Sequence, residues 1–298
     1  MKYHVLYNPK AGNGTGESET KNIEKFLSGD EVVYYDLTQN KTVELIAKIP
    51  RSEKIVISGG DGTLNRFVND TANIGIRHDV YYFATGSGND FIHDLGGNKG
   101  DKPVLINEYI KDLPEVTVNG NTYKFINGVG YGIDGYCCEI GDKLREKSDK
   151  PVNYAGIAIK GLLFHFKPRN AEIEVDGKKY TFKKVWLAPT MNGRYYGGGM
   201  IPTPKQDRLN KEHTVSVMVY YGSGKIKSLA VFPSIFKGEH VNHKEMVEVL
   251  SGKEITVRFD SPAALQVDGE TIIGVTEYSV RTGKAAEKLN PAEAFVCA

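Results

Sequence analysis

Nowhere in these 298 residues do about 18 uncharged apolar residues follow one another, the length a membrane-spanning helix needs. The best stretch, Ala155 to Phe166, is shorter and carries Lys160 and His165. A secretion signal is missing too, since the short apolar start Met1 to Tyr7 runs straight into Asn8-Pro9. Cysteine is scarce: Cys137 and Cys138 adjoin, and Cys297 stands one residue from the end. An odd count without Cys-x-x-Cys spacing fits a reducing cytoplasm and speaks against structural zinc. Neither charge is in excess. Lys and Arg total 38 against 37 Asp and Glu, for a formal net charge of +1. That balance argues against a nucleic-acid-binding face and against an acidic disordered tail. The expectation is a cytoplasmic globular protein of one large domain or two ordinary ones. What the chain does have is glycine, 33 residues, a share above the usual ~7%.

The first hundred residues alternate strand and helix signals. Strands are expected at Lys2–Tyr7, Glu31–Tyr35, Lys54–Ser58 and Val80–Ala84. Helices are expected at Glu17–Leu27, with Ile23, Phe26 and Leu27 inward, at Val43–Ile49, and after Thr63, with Leu64, Phe67 and Val68 inward. That alternation predicts an α/β domain with a parallel sheet, whose ligands bind at the carboxyl ends of the strands. The pattern changes near Leu113. Asn119-Gly120 and Asp176-Gly177 read as hairpin turns. Helical segments are expected at Ile133–Lys147 and Tyr154–Phe166. Further strands are expected at Thr214–Tyr221, Glu254–Phe259, Ala264–Val267 and Thr271–Val280. The predicted division is an α/β domain over residues 1–120 and a mostly antiparallel β domain over 121–298.

Three glycine loops fall at predicted strand ends: Asn8 to Gly16, Gly59-Gly60-Asp61-Gly62-Thr63, and Gly86-Ser87-Gly88-Asn89-Asp90. Consecutive glycines let backbone N–H groups approach a phosphate, and a helix start favours an anion. Thr63 is positioned to cap the following helix, and Asp61 to hold Mg²⁺ or a ribose hydroxyl. Any one loop is equally a plain turn; three at successive ends of one sheet would form one anion-binding crevice. Gly222-Ser223-Gly224-Lys225 is not a P-loop, because Val219 and Ile226 stand where Gly and Ser/Thr belong. Gly130 to Gly135 matches G-x-G-x-x-G but follows a hairpin strand, a poor nicotinamide context. His240 and His243 lack a third ligand in register and read as structural or surface residues. No metal ligand set can be named from spacing. The run Asn192 to Met200, with Arg194 and Gly197-Gly198-Gly199, needs a close approach, either to a ligand or of one domain to the other. Asp268-Gly269-Glu270 reads either as an ordinary hairpin turn or as a carboxylate pair carrying a general base.

In this order the Asn8-Pro9 loop, Gly-Gly-Asp-Gly-Thr, Gly86 to Phe91, Asn192 to Gly199 and Asp268-Gly269-Glu270 resemble the bacterial soluble diacylglycerol/lipid kinases. These are relatives of the sphingosine kinases and NAD kinases. The segment Phe232-Pro233 to His240 is similar to that family as well. The resemblance implies an NAD kinase/phosphofructokinase-like α/β domain, a β-sandwich domain, and ATP in the cleft between them. It implies nucleotide contacts at Asn8, Pro9, Lys10, Ala11, Gly12, Thr38, Gly59, Gly60, Asp61, Gly62, Thr63, Leu64, Asn65 and Ser87. It implies Mg²⁺ accompanying ATP, and catalytic roles for Asp61 and for Asp268 or Glu270. The implied reaction phosphorylates a lipid hydroxyl, diacylglycerol first. Sphingoid bases, ceramides, polyprenols and NAD are the alternative acceptors, and a nucleotide-binding regulator without transfer activity is the reading outside kinases. A lipid acceptor implies transient contact with the inner face of a membrane; a homodimer is compatible with the resemblance. As in relatives, the chain after Val280 is expected to return to the first domain. One departure stands out. Where the family carries an Asp-Gly pair whose Asp helps bind a structural Mg²⁺, this chain has Asn210-Lys211.

Overall fold

Strands β1 (Lys2–Tyr7), β3 (Lys54–Gly59) and β4 (Val80–Ala84) are built on apolar runs, Val5-Leu6, Ile55-Val56-Ile57 and Tyr82-Phe83-Ala84, all buried. Such runs suit strands covered on both faces. The computed structural model describes residues 1–145, 156, 157, 160, 161 and 165–282. With edge strands β2 (Glu31–Asp36) and β5 (Val104–Leu105), these strands make a five-stranded sheet in the order β2-β1-β3-β4-β5. The pairings are parallel except β4 with β5, so one edge of the expected parallel sheet is antiparallel. One face packs on Leu64, Phe67 and Val68 of the helix Asp61–Asp70, the other on Ile23 and Leu27. The helix expected over Glu17–Leu27 is instead a short α-helix, Gly16–Thr20, followed by a 3₁₀ stretch, Lys21–Lys25. Three residues per turn rotate the face. Phe26 therefore turns outward, 45% exposed, while Ile23 and Leu27 stay buried.

The second sheet begins with the hairpin β6 (Glu115–Val118) and β7 (Asn121–Lys124). Asn119 and Gly120 have φ of 48° and 77°, the left-handed pair of a type I′ turn. Both arms belong to the second sheet, so a division at residue 120 runs through this turn; among the described residues, the last strand of the first sheet is β5. The remaining strands are β8 (Gly128–Tyr131), β9 (Arg169–Val175), β10 (Lys178–Val185), β11 (Thr190–Met191), β12 (Val215–Tyr220), β13 (Val247–Gly252), β14 (Glu254–Val267) and β15 (Glu270–Arg281). Their pairings are antiparallel. β14 replaces the two expected strands. It runs unbroken through Pro262, with its register against β15 shifting between Arg258 and Ala263. Its first half pairs with β9 and its last residues with β8, so one bent strand serves two parts of the sheet. Phe125, Tyr131, Ile173, Val217, Val257, Leu265 and Tyr278 fill the core it encloses. The helix expected over Ile133–Lys147 is present over Ile133–Arg145, and the rest of that span lies outside the described residues. The helix expected over Tyr154–Phe166 falls mostly outside the described residues, as do Cys297 and the stretch expected to return to the first domain. Among the described residues, no helix is long and apolar enough to cross a membrane.

Candidate active site

Parallel β1, β3 and β4 end side by side, so the three glycine loops that follow them meet. The Asn8 N–H bonds to Ser58 O at 3.1 Å, its Oδ1 accepts the Lys10 N–H at 3.0 Å, and its Nδ2 donates to Thr63 Oγ1 at 3.2 Å. Gly12, at φ 58°, faces the Thr85 carbonyl, which a Cβ would meet at 2.7 Å. A Cβ on Gly60 would lie 3.1 Å from Gly86 Cα, and one on Gly86 would press harder on Gly60. These glycines therefore let the loops pack on one another. Gly62 differs: nothing lies within 4 Å of a Cβ built there. It sits in the first turn of the helix Asp61–Asp70, where N–H groups lack intrahelical partners and the helix dipole favours an anion. Thr63 is not the cap expected of it. Gly60 holds that position, and Thr63 lies buried inside the first turn, bonded by Asn8.

The other residues expected to contact nucleotide divide into rim and support. Lys10 and Ser87 are exposed, and Pro9 and Ala11 half-buried. Thr38 is exposed at the end of β2, its N–H and Oγ1 both donating to Asp36 Oδ1 at 2.7 Å. Gly59 packs against Thr63, and the Leu64 side chain lies in the core beneath the loops.

Asp61 joins the second glycine loop to the third. Its carboxylate accepts the N–H groups of Asp90 at 2.7 Å and Phe91 at 3.2 Å, at the start of the helix Asp90–Asp94. Burial, reinforced by the nearby Asp90 carboxylate, pushes its pKa up to about 7. Asp90 in turn accepts the Gly198 and Gly199 N–H groups at 2.8 and 2.7 Å. Gly197, Gly198 and Gly199 have φ of 63°, 82° and 105°, a left-handed run that side chains oppose. Of the two close approaches expected for this run, the described contacts are between domains.

Asp268 closes the crevice from the second domain. Asp268-Gly269 is a hairpin turn, with φ of 46° and 98°, and Val267 pairs with Glu270 across it. Its carboxylate also reaches backward. Oδ2 accepts Ile126 N–H at 2.5 Å and Asn65 Nδ2 at 2.7 Å; Oδ1 accepts Asn127 and Gly128 N–H at 2.8 and 3.0 Å. Both readings of the turn thus coexist. Burial raises its pKa, against the opposing pull of those four donors. Asp176, in the other Asp-Gly turn, likewise accepts two backbone N–H groups, of Lys253 and Glu254. Docking on backbone is therefore what such a turn does structurally, and the Asn65 amide is what sets Asp268 apart. Glu270 is exposed two residues on.

Several partners were not read from the sequence. Asn69 joins Asn65 on one helix face, and both amides donate to Lys124 O, at 2.9 and 3.2 Å. Their spacing of four was the available signal. Asp94, 4% exposed, forms ion pairs with Arg208, also 4% exposed, and with Arg194 at 2.7 Å. Arg208 further donates to Ile126 O and Asn127 Oδ1, each at 2.6 Å. These pairs span about a hundred residues, and no local spacing announces them. Gly130 to Gly135 is explained by packing. A Cβ on Gly130 would strike the Asp134 carboxyl, and one on Gly132 would meet Trp186 O at 2.5 Å. β8, which precedes it, is antiparallel to its neighbours β11 and β14, unlike a dinucleotide-binding unit. His240 is buried, with Nε2 2.9 Å from Pro202 O.

Comparison with known proteins agrees with this architecture. Residues 2–117 match the diacylglycerol kinase catalytic domain, and residues 127–284 the YegS C-terminal NAD kinase beta sandwich-like domain. A Bacillus subtilis protein named diacylglycerol kinase is 24% identical over 281 residues, 89% of this chain and 88% of its own. One of the same name from Mycobacterium tuberculosis is 23% identical over 282 residues, 90% and 88%. A solved Bacillus anthracis structure, described as a diacylglycerol kinase, superposes with a TM-score of 0.61 at 19% identity, covering 95% of this chain and 94% of that one. With both domain families matched in order along its length, the chain belongs to the diacylglycerol/lipid kinase family.

Proposed function

We propose that the protein is an ATP-dependent lipid kinase that phosphorylates a lipid hydroxyl, with diacylglycerol as first acceptor and phosphatidic acid as product. The observation that carries this reading is the meeting of three glycine loops at the ends of β1, β3 and β4, closed from the second domain by Asp268. The names of the curated relatives support the acceptor class. Phosphates would lie against the open first turn at Gly60–Gly62, where helix N–H groups face an anion. The raised pKa of Asp61, caused by burial beside Asp90, marks a site with surplus negative charge, and Mg²⁺ fits there. Asp61, whose two carboxylate oxygens each accept one backbone N–H, would be the residue to hold it, and the ion would supply positive charge to the oxygens of the transferring group.

Phosphoryl transfer needs positioning and a proton acceptor. The acceptor hydroxyl gives its proton to Asp268 or Glu270, its oxygen bonds to the γ-phosphorus, and ADP leaves. Asp268 must release a donor to take that proton, because its two oxygens already receive four hydrogen bonds. Glu270 is exposed and carries no such requirement. A protein acting on lipid would visit the membrane surface peripherally, since a net charge of +1 gives little attraction to anionic lipid.

The test is incubation with labelled ATP, Mg²⁺ and a panel of diacylglycerol, sphingosine, ceramide, undecaprenol and NAD. Labelled phosphatidic acid is the expected product. Label in another acceptor moves the assignment to that acceptor, and nucleotide binding without product from any of them overturns the kinase reading.

A further inference from the structure

The loop from Thr203 to Thr214 holds the position at which family resemblance implies a structural Mg²⁺, and its donor set does not fit a cation. Asn210 Nδ2 donates to the carbonyl oxygens of Asp207 at 2.7 Å and Thr214 at 2.9 Å. Gln206 Nε2 donates to the same two carbonyls, at 3.3 and 2.9 Å. Asn210 Oδ1 faces the other way and accepts the Thr214 N–H at 2.9 Å and its Oγ1 at 3.2 Å. That pattern fixes which end of the amide is which. The oxygens that a hard cation would gather are thus already held by N–H donors. Asp207 Oδ1 is taken by the Leu209 N–H at 3.0 Å, and Lys211 stands exposed beside the site. Among the described residues, no three of His, Cys, Asp and Glu are grouped to hold a metal.

We propose that the Asn210 amide does here what a structural cation would do: it cross-links the loop, making its conformation independent of divalent metal. The loop matters because it carries Arg208. That guanidinium ties Asp94 of the first domain to Ile126 O and Asn127 Oδ1 of the second. The N–H groups of Ile126 and Asn127 in turn hold Asp268. Asn210 is therefore a positioning residue, acting on the candidate site through Arg208 and the 126–127 backbone. None of this depends on which acceptor the protein phosphorylates, or on whether it phosphorylates one.

The test is limited trypsin digestion of the full chain without nucleotide, following cleavage after Lys205 and Lys211, both exposed in the loop. In the wild type the cleavage rate is expected to be the same in EDTA and in excess Mg²⁺. In Asn210→Ala it is expected to rise about tenfold in both solutions, because the loop opens locally. Protection of the wild-type loop by Mg²⁺ overturns the proposal, and so does an Asn210→Ala loop cut no faster than the wild type. The wild-type comparison does not depend on any variant folding.

Discussion

Asn65 and Asp268, 203 residues apart in the chain, are joined by a 2.7 Å hydrogen bond from the Asn65 amide to Asp268 Oδ2. The bond links the helix Asp61–Asp70 to the hairpin that carries the candidate base. Asn65→Ala is expected to lower stability by about 1–3 kcal/mol, since a buried carboxylate loses a donor. Denaturant melts would measure it. Asp268→Ala should cost at least as much, because three backbone N–H groups lose their acceptor, and should also abolish transfer. Glu270→Ala should leave stability within about 0.5 kcal/mol of the wild type, as exposed positions do. Whichever variant loses turnover while keeping ATP affinity identifies the base.

Gly62 offers a separate test of the phosphate cradle. A Cβ there meets nothing within 4 Å, so Gly62→Ala should fold normally. If phosphates lie against this turn, the added methyl should weaken ATP binding, measured by calorimetry. Gly86→Ala should instead destabilise the fold itself, because its Cβ drives into the backbone of Gly60. Normal ATP affinity in Gly62→Ala would remove the first helical turn from the phosphate site.

Arg208 and Arg194 share Asp94 but not its burial. Arg208→Ala leaves the enclosed Asp94 carboxylate short of a charge partner and should cost about 3–5 kcal/mol. Arg194 is 40% exposed, and Arg194→Ala should cost less than half of that. Equal losses in thermal or urea melts would contradict this ranking.

Asp134 gives a pH prediction. Burial pushes its carboxyl up to about 7, although the Gly135 N–H at 2.9 Å favours the charged form. A carboxyl whose folded pKa exceeds its unfolded value binds more protons in the native state. Its stabilising contribution is therefore complete below about pH 4 and is lost as pH rises to about 7. Asp134→Asn should flatten stability against pH across that window by about one proton's worth of slope. An unchanged slope would show that Asp134 titrates normally in the folded protein.

Local signals carried most of the first domain. The apolar runs of β1, β3 and β4 and the glycines after them are short-range features, and they placed the loops correctly. Where 3₁₀ winding replaced α-helix, the face assigned to Phe26 was wrong, because periodicity was read with the wrong repeat. β14 was split at Pro262, which removes one N–H but here sits where the register already shifts. At the site, Asp61 and Asp268 are where the motifs put them, but their hydrogen bonds run to backbone of distant segments. Ile126 and Arg208 announce nothing in their own neighbourhoods, and the Gly197–Gly199 run announces a close approach without naming Asp90 as its partner. Such partners follow from tertiary closure, which a linear pattern does not encode.

The pairing of β6 with β15 sets Val116 opposite Val280. The second sheet therefore cannot finish before residue 280 has been synthesised. Among the described residues, the strands of the first sheet all lie before residue 106, although Leu113 and Ile126 complete the core beneath it. Long-range β pairing is slow to close. The crevice between the glycine loops and Asn65 is therefore completed only by the late hairpin at Asp268. A chain truncated before that hairpin would retain the glycine loops and lack the partner that completes them.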